Sequence, residues 1–276
     1  MLYKKIILSS VIVFVLSLTC QAQRAELGVN VGGAGYMGDL NQFNPVKISG
    51  VAVGIYAKIN FDPHWGLGLH YNYGKIKAFD ALSDNPQFVD RNLHFKTVLN
   101  EVSFIGSFNF FDIYSPGSKG RLTPYLFAGI GGVIFNPKAT YLGSSANGGF
   151  ELKEFELRDF NTEGQVKPYR NYAVVIPYGA GVKFKMNENW TLFSQAGYRT
   201  AFTDYLDDVS GVYPDPSKLL NGISRALSDR SGELTPTGVN LYKPGDQRGD
   251  FRKRDTYLFV NIGISYTFVS QKCFTF

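Results

Sequence analysis

The segment with the densest potential for chemistry is Asp204-Tyr205-Leu206-Asp207-Asp208-Val209-Ser210-Gly211, where Asp204, Asp207 and Asp208 offer hard oxygen ligands of the kind calcium takes. It lacks the alternating Asp-x-Asp/Asn-x-Asp/Asn-Gly loop of a calcium hand, so the plainer reading is a turn in which Asp and Ser cap backbone groups. The three histidines, His64, His70 and His94, are not spaced to share a metal or to form a Ser-His-acid relay. No Gly-rich phosphate loop, CxxC pair or HExxH is present. No cofactor is expected, and the chain reads as a protein that is not an enzyme.

Two cysteines occur, Cys20 and Cys273. Lys4 and Lys5 followed by the apolar run from Ile6 to Leu18 and the small-residue positions at Cys20-Gln21-Ala22 read as a secretory signal peptide over residues 1–22, cleaved after Ala22. Leu18 and Thr19 fit poorly before a lipid-modified Cys20. Processing would leave Cys273 alone in a short periplasmic tail, 269–276. A solitary thiol in an oxidising compartment suggests an intermolecular disulfide with a periplasmic partner.

The formal charge of +5 falls to +3 without Lys4 and Lys5, too weak and too scattered to argue for nucleic acid. Arg248, Arg252, Lys253 and Arg254 lie where the last long loop would meet the membrane, and there basic residues commonly hold lipopolysaccharide phosphate. The Arg-Gly-Asp at 248–250 is a frequent chance triplet.

These residues must be positioned by strands, because past residue 22 no stretch approaches the ~20 consecutive apolar residues of a membrane helix. Thirty glycines, 23 Phe and 17 Tyr make the chain rich in turn formers and aromatics. Alternation is strict: Val51, Val53, Ile55, Ala57, Ile59 and Phe61 oppose Gly50, Ala52, Gly54, Tyr56, Lys58 and Asn60. Comparable segments are 25–36, 67–74, 101–110, 122–136, 172–185, 191–203 and 255–268. The fifth is the least clear, since Tyr125-Leu126-Phe127 is apolar on both faces.

The expected fold is therefore all-β: an eight-stranded antiparallel transmembrane β-barrel over residues 23–268, with its interior filled by side chains. Turns at 62–65, 115–117 and 186–189 would be periplasmic. Long loops at 37–47, 78–98, 137–170 and 204–254 would be extracellular. The lumen row holds Glu26, Lys58, Glu101, Lys183 and Arg199, a mixed-sign set that can neutralise itself. The final strand ends Gly263-x-x-Tyr266-x-Phe268, a spacing that resembles the sorting signal of the outer-membrane barrel-assembly machinery.

The segment from Ala201 to Tyr213, taken with Glu26-Leu27-Gly28 leading into Gly35-Tyr36-Met37-Gly38-Asp39-Leu40-Asn41, resembles a Bacteroidota barrel family. That family is the PorG-like outer-membrane component of the type IX secretion and gliding machinery. The resemblance extends over essentially the whole mature chain, with Gln271-Lys272-Cys273 adding to it. It implies a non-enzymatic subunit of the outer membrane, set in lipid and lipopolysaccharide, that docks a periplasmic ring lipoprotein and associated secretion subunits. The alternative is a surface adhesion or envelope-stability barrel with no secretion role.

Overall fold

A computed structural model of the chain describes residues 24–268 apart from 116, 117, 119 and 145–149. The segment 1–22, expected to be a signal peptide, and the tail at 269–276, with Cys273, lie outside the described residues. Among the described residues no helix is long and apolar enough to cross a membrane. Nine strands form among the described residues: β1 (Arg24–Met37), β2 (Ile48–Asn60), β3 (Trp65–Phe79), β4 (His94–Asn109), β5 (Leu122–Ser144), β6 (Phe150–Glu156), β7 (Tyr172–Lys185), β8 (Trp190–Ala201) and β9 (Thr256–Thr267).

Eight of them close a ring. Each strand pairs antiparallel with its neighbours, β1 meets β9 with Val29 opposite Ile264, and β4 meets β5 with Val102 opposite Gly132. Closure removes both sheet edges, so every backbone polar group of the wall has a partner without water. The period-2 alternation then sorts the side chains. Val29, Val53, Ile55, Leu69, Phe104 and Ile262 are exposed on the outside, while Asn30, Lys58, Glu101 and Asn261 are buried inside. A continuous apolar exterior of this kind is the lipid-facing surface of a membrane-spanning barrel.

The ambiguous fifth strand resolves through its partners. Tyr125 and Phe127 point inward and Leu126 outward. The inward rings occupy space left by glycines on the next two strands of the wall, β7 and β8: a Cβ on Gly181 would meet the Tyr125 ring at 2.6 Å, and one on Gly197 the Phe127 ring at 2.5 Å. Large residues facing small ones fill a narrow barrel, which is why this strand reads as apolar on both faces.

Two expectations about the loops are corrected. Strands β3, β4 and β5 run on beyond the lipid-facing segments, and β6 pairs with the upper part of β5, Lys138 opposite Glu156 and Thr140 opposite Glu154. The loops expected at 78–98 and 137–170 are accordingly shorter. These extensions stand in water and carry charge, as in the Lys96–Glu154 and Lys138–Glu156 pairs at 2.9 Å, and their alternation is the reverse of the wall's, with Ile76, Ala78 and Phe95 buried between Lys75, Lys77 and Lys96. At the opposite end, the connection between β4 and β5 spans 110–121, longer than the short turn expected around 115–117, and within it the Ser118 N–H donates to the Ser115 carbonyl at 3.1 Å. Ile113 and Tyr114 are buried, and the Tyr114 ring lies under the Lys183 ammonium, 5.9 Å away, so this connection plugs the mouth; Pro116 and Gly117 are outside the described residues.

At that same end Trp65 packs on Phe108 with ring centres 4.8 Å apart, and Tyr266 packs edge-on against Trp190 at 5.1 Å and Phe268 at 4.9 Å. These pairs form an interfacial aromatic girdle. Phe268 projects outward, where a charge costs only about 0–1 kcal/mol. Phe268→Asp is nevertheless expected to block insertion, because it removes the end of the assembly signal. The check is the fraction of heat-modifiable, folded protein in isolated membranes; wild-type levels of folded Phe268→Asp would refute a role in recognition.

Candidate functional site

The barrel interior holds two carboxylates, each wrapped by donors. Glu26 accepts from Tyr56 Oη at 2.7 Å and Asn60 Nδ2 at 2.9 Å, and pairs with Lys58 Nζ at 2.8 Å. Glu101 accepts from Tyr257 Oη at 2.7 Å and Ser103 Oγ at 2.9 Å, with Arg199 Nε 3.4 Å away. Lys183 donates to Asn109 Oδ1 at 2.8 Å and lies 4.5 Å from the centre of the Tyr125 ring. The lumen row expected from sequence is thus brought together as a structural network. The void left among Tyr56, Lys58, His70, Tyr125, Lys183 and Phe193 is about 20 Å³, room for one water and no solute.

Above the barrel the long connections do not spread into solvent. They fold into a cap with its own apolar core, in which Leu40, Leu93, Leu157, Leu206, Val209 and Leu227 continue the buried cluster of the upper lumen around Phe95 and Phe259. Short helices supply the irregular chain with local partners: α1 (Pro86–Arg91), α2 (Leu157–Phe160) and α3 (Gly222–Ser228), the first capped by Asn85 and the last by Asn221.

Two buried guanidiniums tie the cap together. Arg91 engages Asp80 through both carboxylate oxygens, at 2.6 and 2.8 Å, and donates to the Asp39 carbonyl at 3.0 Å and the Arg248 carbonyl at 2.5 Å. Arg248 donates to Glu163 Oε1 at 2.9 Å, the Asp208 carbonyl at 2.8 Å and the Ser228 carbonyl at 3.1 Å. All four long connections are thereby cross-linked by charge-assisted bonds. Arg248 is therefore not available to lipopolysaccharide, which corrects the basic-cluster expectation. Arg252, Lys253 and Arg254 stay exposed, with Arg252 paired to Asp250 at 2.5 Å.

The predicted calcium trio does not converge. Asp208, at a left-handed φ of 66°, turns its carboxylate to Tyr169 Oη at 2.7 Å and to the Thr162 hydroxyl. Asp204 stays half-buried at the side. Asp207 turns the other way and joins Asp39 and Asp255, with one carboxylate oxygen from each lying within 4.8 Å of the others. Tyr36 Oη donates to Asp207 Oδ2 at 2.5 Å and lies 3.4 Å from Asp255 Oδ1. Burial and mutual repulsion push the Asp207 and Asp255 carboxyls well above the ordinary carboxylate range, and burial raises Asp39 to about 7. Asp39 and Asp255 were missed as candidates because they lie some 170 and 50 residues from Asp207 in the chain. The only hint was that each sits at the end of a barrel strand.

Glu163 makes cap stability pH-dependent. Burial raises its carboxyl from an ordinary 4.5 to about 7, against the opposing pull of Arg248. A raised folded pKa means that the protonated form is favoured by folding, so this stabilisation is complete below pH 4.5 and lost as pH rises through 7. The local penalty at pH 8 is on the order of 3 kcal/mol. Proteolysis of residues 204–254 in chelator should be faster at pH 8 than at pH 5, with a shallower pH dependence in Glu163→Gln. Equal steepness in both proteins would exonerate Glu163.

The remaining sequence candidates fall in separate places. His64 Nδ1 is 2.8 Å from the Asn109 carbonyl, His70 stacks on Tyr56 in the lumen at 4.8 Å, and His94 Nε2 accepts the Thr140 N–H at 3.1 Å. Gly263 of the sorting spacing faces inward, where a Cβ would meet the Phe193 ring and the Val29 carbonyl at 2.4 Å.

Among solved structures, the chain is similar to the attachment invasion locus protein Ail of Yersinia pestis at TM-score 0.39 and 10% identity, covering 90% of this chain and 100% of that one. It is also similar to OprG from Pseudomonas aeruginosa at TM-score 0.40 and 13% identity, covering 91% and 97%. Neisserial surface protein A matches at TM-score 0.39 and 11% identity, covering 90% and 98%. No curated protein matches the sequence. The DUF6089 pattern, described as a domain of unknown function, matches residues 4–221, and the chain belongs to that family.

Proposed function

We propose that this barrel is a non-enzymatic subunit of the bacterial outer membrane that anchors or assembles the type IX secretion machinery through a periplasmic ring lipoprotein and associated subunits. The apolar belt supports residence in the membrane, and the filled lumen argues against passive transport. One observation carries the secretion reading furthest. The two segments on which the family resemblance rests, Gly35–Asn41 and Ala201–Tyr213, interlock through Tyr36, Asp39 and Asp207. Residues of both segments thus meet at one place in the cap, which supports reading them as parts of one architecture.

The test is a deletion strain together with a mild-detergent pull-down of the tagged barrel. Cargo should stay inside the deleted cells, and a periplasmic ring lipoprotein should come down with the barrel. Running the eluate without reductant reads at the same time whether Cys273 is bridged. Normal secretion and motility in the deletion strain would sink this reading.

The adhesion or envelope-stability reading is favoured by a different feature, the β5–β6 hairpin, which rises beside the cap with Leu142 and Leu152 exposed. Trimming residues 141–153 would impair attachment or serum resistance under that reading and leave secretion unchanged.

A further inference from the structure

We propose that Asp39, Asp207 and Asp255, with Tyr36, form a binding site for a hard divalent cation, calcium, that pins the first and last loops of the cap to the barrel mouth. All three carboxylates are 1% exposed. Their oxygens lie within 4.8 Å of one another. Calcium holds oxygen ligands at about 2.3–2.6 Å, so two oxygens on opposite sides of one ion are about 4.6–5.2 Å apart and all three residues can reach a single ion.

The independent mark of a ligand is on Asp39. Its Oδ1 accepts the backbone N–H of Asp250, but its Oδ2 is fully buried with no hydrogen-bond partner among the described residues. A buried carboxylate oxygen is an acceptor that costs free energy until something satisfies it. The nearby guanidiniums are committed elsewhere, Arg91 to Asp80 and Arg252 to Asp250. The other oxygens retain capacity. Asp207 Oδ1 accepts Val209 N–H at 3.0 Å and Asp255 Oδ2 accepts Leu206 N–H at 2.9 Å, each leaving lone pairs for an ion.

The chain is also shaped around the cluster. A Cβ on Gly38 would overlap Tyr36 Oη and Asp255 Oδ1, so the backbone between Tyr36 and Asp39 passes over the site as closely as glycine permits. Every donor is oxygen and none is sulfur or imidazole, which selects a hard cation over zinc or copper. The ligand set differs from the one the 204–211 segment suggests by itself, since only Asp207 belongs to both.

The site stands whether or not the barrel serves secretion, and its test uses no secretion readout. The full chain in detergent is stripped with chelator, then titrated with terbium while luminescence is excited through the tyrosines, and finally with calcium chloride as competitor. One ion per chain should bind, and calcium should displace terbium with a dissociation constant of about 10⁻⁴ M or tighter. Asp39→Asn and Asp207→Asn should each weaken binding at least about tenfold, as loss of a direct ligand requires. Asp215→Asn, at an exposed turn where its carboxylate accepts the Ser217 N–H, should bind as wild type. In the wild type, chelator should accelerate cleavage of 204–254, with protection restored by calcium chloride.

A wild-type chain that shows no saturable binding, its triad held by protons alone, overturns the proposal without any variant. Unchanged affinity in both Asn variants overturns it by placing the ion elsewhere. Protection restored equally well by magnesium overturns the assignment to calcium.

Discussion

Glu26→Ala is expected to cost about 3–5 kcal/mol of barrel stability, because it removes the carboxylate that faces Lys58 at 2.8 Å and leaves that ammonium buried without its counter-ion. Lys183 sits close enough to Lys58 for the two cations to repel, so one deletion unbalances both. The hydroxyl of Tyr56 and the amide of Asn60 lose their acceptor in the same step. Urea unfolding of the refolded chain in detergent measures the effect. The companion variant Glu26→Leu with Lys58→Met should recover most of the loss, since a well-packed apolar pair often replaces a buried ion pair at little cost. An Ala variant as stable as wild type would show that water reaches the lumen and screens these charges.

Arg248→Ala is expected to have an effect of similar size in a different place. Above pH 7, where Glu163 is ionised, it leaves that carboxylate buried without a cation and frees the Asp208 and Ser228 carbonyls, a local cost of about 3–5 kcal/mol. The barrel wall does not depend on these bonds. The cap should therefore open while the barrel stays folded: protease added to whole cells should cut within 204–254 many times faster, with heat-modifiable migration unchanged. Loss of the folded barrel itself would mean that cap and wall form one cooperative unit. Arg248→Lys should rescue only in part, since one ammonium cannot reach the three acceptors that the guanidinium fork spans.

The wall was legible in the chain because lipid imposes a simple rule. Outside a barrel only apolar side chains are tolerated, so Val29, Val53, Ile55 and Phe104 appear with period two, and the opposing row of Glu26, Lys58, Glu101, Lys183 and Arg199 marks the lumen. Where that rule ends, the reading fades. The upper halves of β3 and β4 alternate with the apolar row inward, Ile76, Ala78, Phe95 and Leu99, and lysines on the other face, so a search for an apolar outward row passes over them, as it does over β6 with its charges. For residues 110–121 the turn signal at Pro116-Gly117 announced a reversal but not the length of the connection around it. What decides their path is burial of Ile113 and Tyr114 in the barrel mouth, a contact made with residues far away in the chain.

The acidic segment at 204–211 shows the same division at a site. Its sequence identified carboxylates with the chemistry of calcium ligands, and Asp207 does join other acids. Which acids those are depends on where β1 ends and β9 begins. Closure of the ring sets those strands side by side, with Met37 opposite Thr256, and so delivers Asp39 and Asp255 to the same point. Asp208, the next residue, is rotated away by its left-handed backbone into the Thr162 and Tyr169 hydroxyls.

The sequence by itself determined the eight strands of the wall, the direction their side chains face and the charged content of the lumen, because period and polarity are local properties read against lipid. The cap, the pairing of Arg91 and Arg248 with their acceptors and the Asp39–Asp207–Asp255 cluster were decided only by the tertiary structure. Their partners lie tens to hundreds of residues apart, and such contacts follow from ring closure and from burial of irregular chain, neither of which leaves a periodic mark.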